Sequence, residues 1–198
     1  MKDTLKDISE LLKEEPVITY NSVKESGISK YSFNKLINEE GFEKVGHGLY
    51  LSKNELIDEL YIIHKRCPIA VFSHDEAFFY HNLVDREPLV HTFTIYSGYN
   101  AHRLKEKSNY KIYNVKKELI DVGKIIVKDS YGNDIPMYDL ERTVCDLVRS
   151  RNSIEINEFT TALKAYVARK DKNLNLLMEY AKLFSISNII RKYMEVLL

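Results

Sequence analysis

The feature that most constrains this chain is a tight break near its amino end, Gly27-Ile28-Ser29, set between two segments that both read as helices. The first, Tyr20 to Ser26, follows Thr19 as a cap and closes at Gly27, the residue type that most easily takes the left-handed conformation ending a helix. The second is capped by Ser29 and runs from Lys30 to Glu39, ending at Gly41. Only about two residues separate the segments, which is the spacing of a helix-turn-helix. Upstream, Leu5, Ile8, Leu11 and Leu12 recur at helical spacing from Asp3 to Glu15, and Pro16 stops that pattern.

Each helical residue advances about 100° around the axis, so the Lys30 to Glu39 segment can be read as a wheel. Phe33, Leu36 and Ile37 converge on one side, and Tyr31, Asn34, Lys35 and Asn38 occupy the other, with Lys30 and Ser32 at its edges. Asn can pair with the two major-groove atoms of adenine, and Lys can reach guanine or phosphate. The same face would also suit a solvated helix with no partner. Next, Phe42 to Leu51 holds two short β-prone runs flanking Gly46-His47-Gly48, the pattern of a hairpin. Three helices and a hairpin predict a winged helix-turn-helix over residues 1–52, with Lys44 and His47 on the wing toward the sugar-phosphate backbone and Tyr50 packed inside. Its candidate DNA-binding residues are Lys30, Tyr31, Ser32, Asn34, Lys35, Asn38, Lys44 and His47.

Charge qualifies this reading. The 198 residues are neutral, yet residues 1–60 carry eight Lys and twelve acids, a net −4, while the remainder carries 21 bases and 17 acids, a net +4. Phosphate contacts supply most non-specific DNA affinity, so the module must turn a Lys-bearing face to a duplex and keep its acids, several of them in Asp3 to Glu15, elsewhere. Arg103 to Lys117 concentrates six bases against Glu106 alone, and Lys164, Arg169, Lys170 and Lys172 are opposed only by Asp171. Such blocks are either solvated surface or a place for a polyanion or acidic partner.

Other classes are excluded by what is missing. At 44% hydrophobic and 29% charged residues the chain has a globular profile, and its longest apolar runs, such as Pro68 to Phe72, fall far short of the roughly 20 residues a bilayer helix needs. Met1-Lys2-Asp3 does not open a signal peptide, and Cys67 and Cys145 form neither a framework nor a Cys-x-x-Cys pair, which points to a reducing cytoplasm. No metal-ligand spacing, phosphate-cradling loop or dinucleotide loop is present, so neither a cofactor nor an enzymatic activity is expected. Ser73-His74-Asp75 does not read as a hydrolytic triad, because neighbours in sequence point apart; Ser73 reads as a helix cap.

Beyond the module, Ser52-x-x-Glu55 is a capping box predicting a linking helix to about Arg66, with Leu56, Leu60 and Ile63 as its stripe; residues 53–67 form the linker. Ser73 to Leu83 reads as a helix with His74 and His81 on one face. Alternation predicts strands at Thr92 to Tyr96, Lys111 to Val115, Lys124 to Lys128 and Ile135 to Tyr138, with a turn at Tyr131-Gly132-Asn133-Asp134, hence a small mixed or antiparallel sheet. Asp139 caps a helix striped by Leu140, Val144, Leu147 and Val148, whose Glu141, Arg142, Asp146 and Arg149 read as a salt-bridged start. Ile156 to Ala168, Leu174 to Phe184 and Asn188 to Leu197 complete a helical layer. The fold class is α+β: a winged helix-turn-helix followed by a mixed α/β domain, residues 68–198, with a C-terminal helical layer.

Gly46-His47-Gly48-Leu49-Tyr50, then Ser73-His74-x-x-Ala77 through His81-Asn82-Leu83, then Tyr138-Asp139-Leu140-Glu141-Arg142-Thr143-Val144-Cys145-Asp146-Leu147, in that order across essentially the whole chain, resembles the AbiEi family of type IV antitoxins. That family usually has Gly where Asn82 stands. The resemblance implies a bacterial protein of abortive infection and phage defence, a transcriptional repressor that binds inverted repeats upstream of its own operon. Its C-terminal domain would counteract a nucleotidyltransferase-like toxin, AbiEii, without necessarily forming a stable complex. Arg103, Lys105, Lys164, Arg169, Lys170 and Lys172 would be the antitoxin surface. The alternative is a protein-interaction module whose winged helix docks another protein and no DNA.

Overall fold

The structure, a computed structural model, describes residues 17–24, 27–46, 48–52, 56–101 and 110–197, without the side chain of Asn21. The expected first helix, the His47 tip, Glu55, Arg103 and Lys105 lie outside the described residues. The chain divides into two compact units, Met1–Pro68 with Lys128–Asp134, and Ile69–Val127 with Ile135–Leu198. The described residues contain eight α-helices, a three-stranded antiparallel sheet and a five-stranded mixed sheet, a mixed α+β fold. Among them no helix is long and apolar enough to cross a membrane.

In the first unit, β1 (Val17–Thr19) leads directly into α1 (Tyr20–Lys24). Thr19 acts as the cap: its Oγ1 accepts from the Ser22 amide at 2.9 Å, and the Ser22 hydroxyl donates back to the Thr19 carbonyl at 2.8 Å. Gly27 follows with φ 76, in the left-handed region. Ser29 caps α2 (Lys30–Glu39), its Oγ accepting from the Ser32 amide at 3.1 Å. The apolar side of α2 then anchors it. Phe33 and Ile37 are buried with Ile18, Val23 and Ile28, and the Phe33 ring meets Tyr20 and Tyr50 edge-on, each at 5.5 Å. Each such side chain contributes about 1.5–3 kcal/mol by leaving water.

β2 (Phe42–Gly46) and β3 (Leu49–Ser52) pair antiparallel, from Phe42↔Ser52 to Gly46↔Leu49, with a register shift between Lys44 and Gly46. β3 pairs on its other side with β1, Val17↔Leu51 through Thr19↔Leu49, a third strand the sequence reading does not contain. The linking helix starts later than its capping box predicts. Ser52 belongs to β3, Leu56 is 75% exposed, and α3 (Glu59–Arg66) begins at Asp58, whose carboxylate accepts from the Leu60 amide at 2.9 Å. Asp58 sits at the turn where the backbone enters the helix, so its carboxylate takes the capping bond expected of Ser52.

The second unit is built on the order β6-β5-β4-β8-β7, with β4 (Val71–Phe72), β5 (His91–Tyr96), β6 (Tyr110–Val115), β7 (Lys124–Lys128) and β8 (Asp134–Tyr138). β4 runs parallel to β8 and antiparallel to β5, and β5 runs parallel to β6, so the sheet is mixed. The expected helix from Ser73 to Leu83 is only α4 (Asp75–Tyr80), so His74 and His81 flank it instead of sharing a face. Ser73 is not its cap: the Glu76 amide is met by Thr92 Oγ1 from β5, at 3.0 Å. Asn82 has φ 55, a left-handed conformation that Asn adopts more readily than most residues.

α5 (Leu140–Arg149) opens at Asp139, whose Oδ1 accepts from the Arg142 amide at 2.8 Å. Its apolar stripe is as expected, but every residue from Leu140 to Val148 is buried, charged ones included. α6 (Ile156–Ala168), α7 (Leu174–Leu183) and α8 (Ser187–Leu197) pack over it through Phe159, Leu163, Leu177, Ala181 and Ile190. Ile156, expected in the stripe of α6, is 70% exposed because it stands at the first helical position, ahead of the buried turn.

Candidate nucleic-acid interface

The face of α2 opposite Phe33 and Ile37 is polar and uncovered. Lys30, Tyr31, Asn34, Lys35 and Asn38 are exposed, Tyr31 to 80%, and Ser32 is half-buried with its hydroxyl 2.9 Å from that of Ser29. The helix therefore presents two amides, two ammonium groups and a phenol on one side of an anchored cylinder. Lys35 is not wholly unopposed. Its Nζ lies 3.7 Å from Glu39 Oε1, one turn on, an exposed pair of the kind that contributes little stability but takes up part of the lysine's charge. Lys44 is exposed on β2 opposite Tyr50, and Tyr50 packs on Phe33, the packing role its position in the hairpin predicts. Glu39, Glu40 and Glu43 cluster at the exit of the helix and the start of β2. The positive charge of this face therefore lies at its start and middle, on Lys30 and Lys35, and the negative charge lies at its end.

The basic cluster of the second unit is divided. Lys164 and Lys170 are exposed. Arg169 instead grips Asp171 through two bonds, Nε to Oδ1 at 2.9 Å and Nη2 to Oδ2 at 2.7 Å, and donates from Nη1 to the His81 carbonyl at 2.7 Å. That fork holds the Asp171 carboxyl below the usual carboxylate range. Lys172 donates to the Arg169 carbonyl at 2.8 Å. Of the expected surface cations, Arg169 and Lys172 thus brace the loop between α6 and α7.

Sequence reasoning did not foresee a buried polar knot at the entry to α4. His74 has φ 54, and this unusual backbone turns its ring back on Ser73: Nδ1 lies 3.0 Å from Ser73 Oγ, and Nε2 lies 2.9 Å from Ser150 Oγ. Ser73 and His74, expected to point apart as neighbours in sequence, meet here. Ser73 Oγ also bonds Thr94 Oγ1 at 2.8 Å, and the imidazole stacks on Tyr113 at 3.3 Å. Asp75 takes no part in these bonds. His74 is 2% exposed and Ser73 fully buried, so the pair is sealed from solvent, and burial drives the imidazole pKa down to about 4, keeping it neutral. Nothing local in the sequence marks a positive φ at a histidine.

A shallow apolar concavity of about 540 Å³ lies between α7 and α8, floored by Leu177 and Met194 and rimmed by Lys182, Arg191 and Glu195.

These features define a class, a mixed α+β protein with a small helix-and-hairpin unit and a larger sheet-and-helix unit. No family model matches the chain, and no curated protein matches it by sequence. Among solved structures, the RV2827C protein from Mycobacterium tuberculosis is similar, with a TM-score of 0.59 and 11% identity over 91% of this chain and 71% of that one. At that identity the likeness concerns the fold.

Proposed function

We propose that this chain is a DNA-binding autorepressor carrying an antitoxin domain. The first unit is read as a winged helix-turn-helix in which α2 enters the major groove and the β2–β3 hairpin lies along the backbone. The second unit, following the resemblance to AbiEi antitoxins, counteracts a nucleotidyltransferase-like toxin. The observation that carries the DNA reading is the exposed Tyr31, Asn34, Lys35 and Asn38 face, fixed from behind by Phe33 and Ile37 and reached by a short turn from α1. The ordered motifs through Asp139 to Leu147 support the antitoxin reading; they belong to a buried helix and so speak for a shared scaffold.

The test is the full-length variant Tyr31→Ala/Asn34→Ala/Lys35→Ala, assayed for binding to the DNA upstream of its own operon and, in cells, for rescue from a co-expressed nucleotidyltransferase encoded beside it. All three side chains point away from the core, so the fold survives. Operator binding is expected to be lost and rescue kept. Retained operator affinity would overturn the repressor reading. Binding of wild type that does not weaken as salt rises would favour a protein-docking surface, because contacts to phosphates release counterions and make affinity fall steeply with ionic strength.

A further inference from the structure

From the same helix we infer what the operator must contain: the asparagines of α2 read adenine, so each half-site carries two A·T pairs about two base steps apart. This rests on the DNA-binding reading above and goes one step further, from a duplex to its bases. Asn34 and Asn38 are both exposed and four residues apart on α2. Four residues turn the helix by about 40° beyond a full circle and advance it about 6 Å, so the amides stand nearly in line on the outward side. Stacked bases repeat every 3.4 Å or so along one strand, which makes 6 Å close to two steps. A carboxamide offers a donor and an acceptor at the spacing of adenine N6 and N7, whereas guanine offers two acceptors there and is met by Arg or Lys.

The cation nearest these amides is partly engaged. Lys35 leans to Glu39 at 3.7 Å, so the group that would otherwise favour guanine has a carboxylate competing for it. Lys30, at the first position of α2, is a whole turn from Asn34 and suited to phosphate. Two amides in register, beside a lysine whose charge is partly met, make adenine the base this surface discriminates.

The experiment selects from a random-sequence duplex library with the full-length protein at low salt. The enriched duplexes are then remade with 7-deazaadenine, which lacks N7, at each adenine in turn. Enriched sequences are expected to share two A·T pairs two steps apart. Removing N7 at either should weaken wild type by about 5- to 100-fold while hardly affecting Asn34→Ala/Asn38→Ala, whose amides are gone. Specific duplexes without that adenine pair, or a deaza penalty equal in wild type and variant, would overturn the inference and leave DNA binding standing. Failure to enrich any duplex would remove the DNA reading and this inference together.

Discussion

Helices α2 and α5 are equally long, ten residues each, and each starts at a side-chain cap, Ser29 or Asp139. Their polar residues meet opposite fates. On α2 the polar side is left in water, where Lys35 and Glu39 are the only ion pair along its length among the described residues. On α5 it is swallowed. Arg142 is 0% exposed, its Nε bonded to Asp146 at 3.1 Å, its Nη1 to the carbonyls of Leu119 and Val122 at 3.0 and 2.7 Å, and its guanidinium pressed between the rings of Tyr138 at 3.8 Å and Phe184 at 4.2 Å. Gly123 makes room for it. A Cβ there would come within 2.5 Å of Arg142 Cβ, and its φ of 73 suits glycine. Polar groups left free by the fold can serve recognition, and polar groups the fold has consumed serve assembly.

The comparison breaks most readily at Arg142. Arg142→Ala strips Asp146 of a buried partner and leaves two rings and two carbonyls without the group they enclose, so unfolding in urea should show a loss of about 3–5 kcal/mol, whereas Lys35→Ala should change stability by no more than about 0.5 kcal/mol. A loss below about 1 kcal/mol at Arg142 would mean that its network is not what holds α5 in place.

A second, slightly smaller effect comes from the knot beside α5. His74 is held neutral by burial, with Asp146 partly opposing that shift and Arg149, Lys111 and Arg142 adding to it. The unfolded chain takes up a proton near pH 6.5 that the folded chain refuses until about pH 4. The folded state is therefore at full advantage above 6.5 and loses it as pH falls toward 4, by about 3 kcal/mol over that window. His64 and His81 are shifted the same way by burial and add to the slope. His74→Asn, which tolerates positive φ, should flatten that part of the stability–pH curve. Equal slopes in variant and wild type would show that the acid sensitivity does not come from His74.

How far each region can be read from sequence follows from where its partners lie. α2 is legible because everything that defines it is local: a cap three residues from the amide that donates to it, a glycine stop, and apolar residues at helical spacing. The caps at Thr19 and Asp139 and the stripe of α5 are legible for the same reason. The polar half of α5 is legible only in part. Arg142 and Arg149 pair with Asp146 inside the helix, as a salt-bridged start predicts, but the remaining partners sit 20 to 32 residues away, at Val122, Leu119, Tyr166 and Asn173, and no local pattern contains them. β1 escapes too, since three residues are too few to show alternation and only pairing with β3 makes Val17–Thr19 a strand. Basic clusters mislead in the opposite direction: Arg169 and Lys172 read as surface, yet they bond backbone carbonyls.

The smallest effect separates the two caps. Ser29 satisfies one amide of α2 and contacts the Ser32 hydroxyl in water, so Ser29→Ala should lower the local opening free energy of the α2 amides, read by hydrogen exchange, by about 1 kcal/mol. Asp139 does more. Its Oδ1 caps α5, while its Oδ2 accepts from the Tyr180 phenol at 2.9 Å, tying α7 to the start of α5. Asp139→Ala removes the cap and also leaves a half-buried phenol without an acceptor, which raises the expected loss to about 2–3 kcal/mol. Asp139→Asn keeps a capping oxygen and should recover most of the difference. If Ser29→Ala and Asp139→Ala cost the same, the Tyr180 bond contributes nothing, and the α5 start is held by its cap in the same way as that of α2.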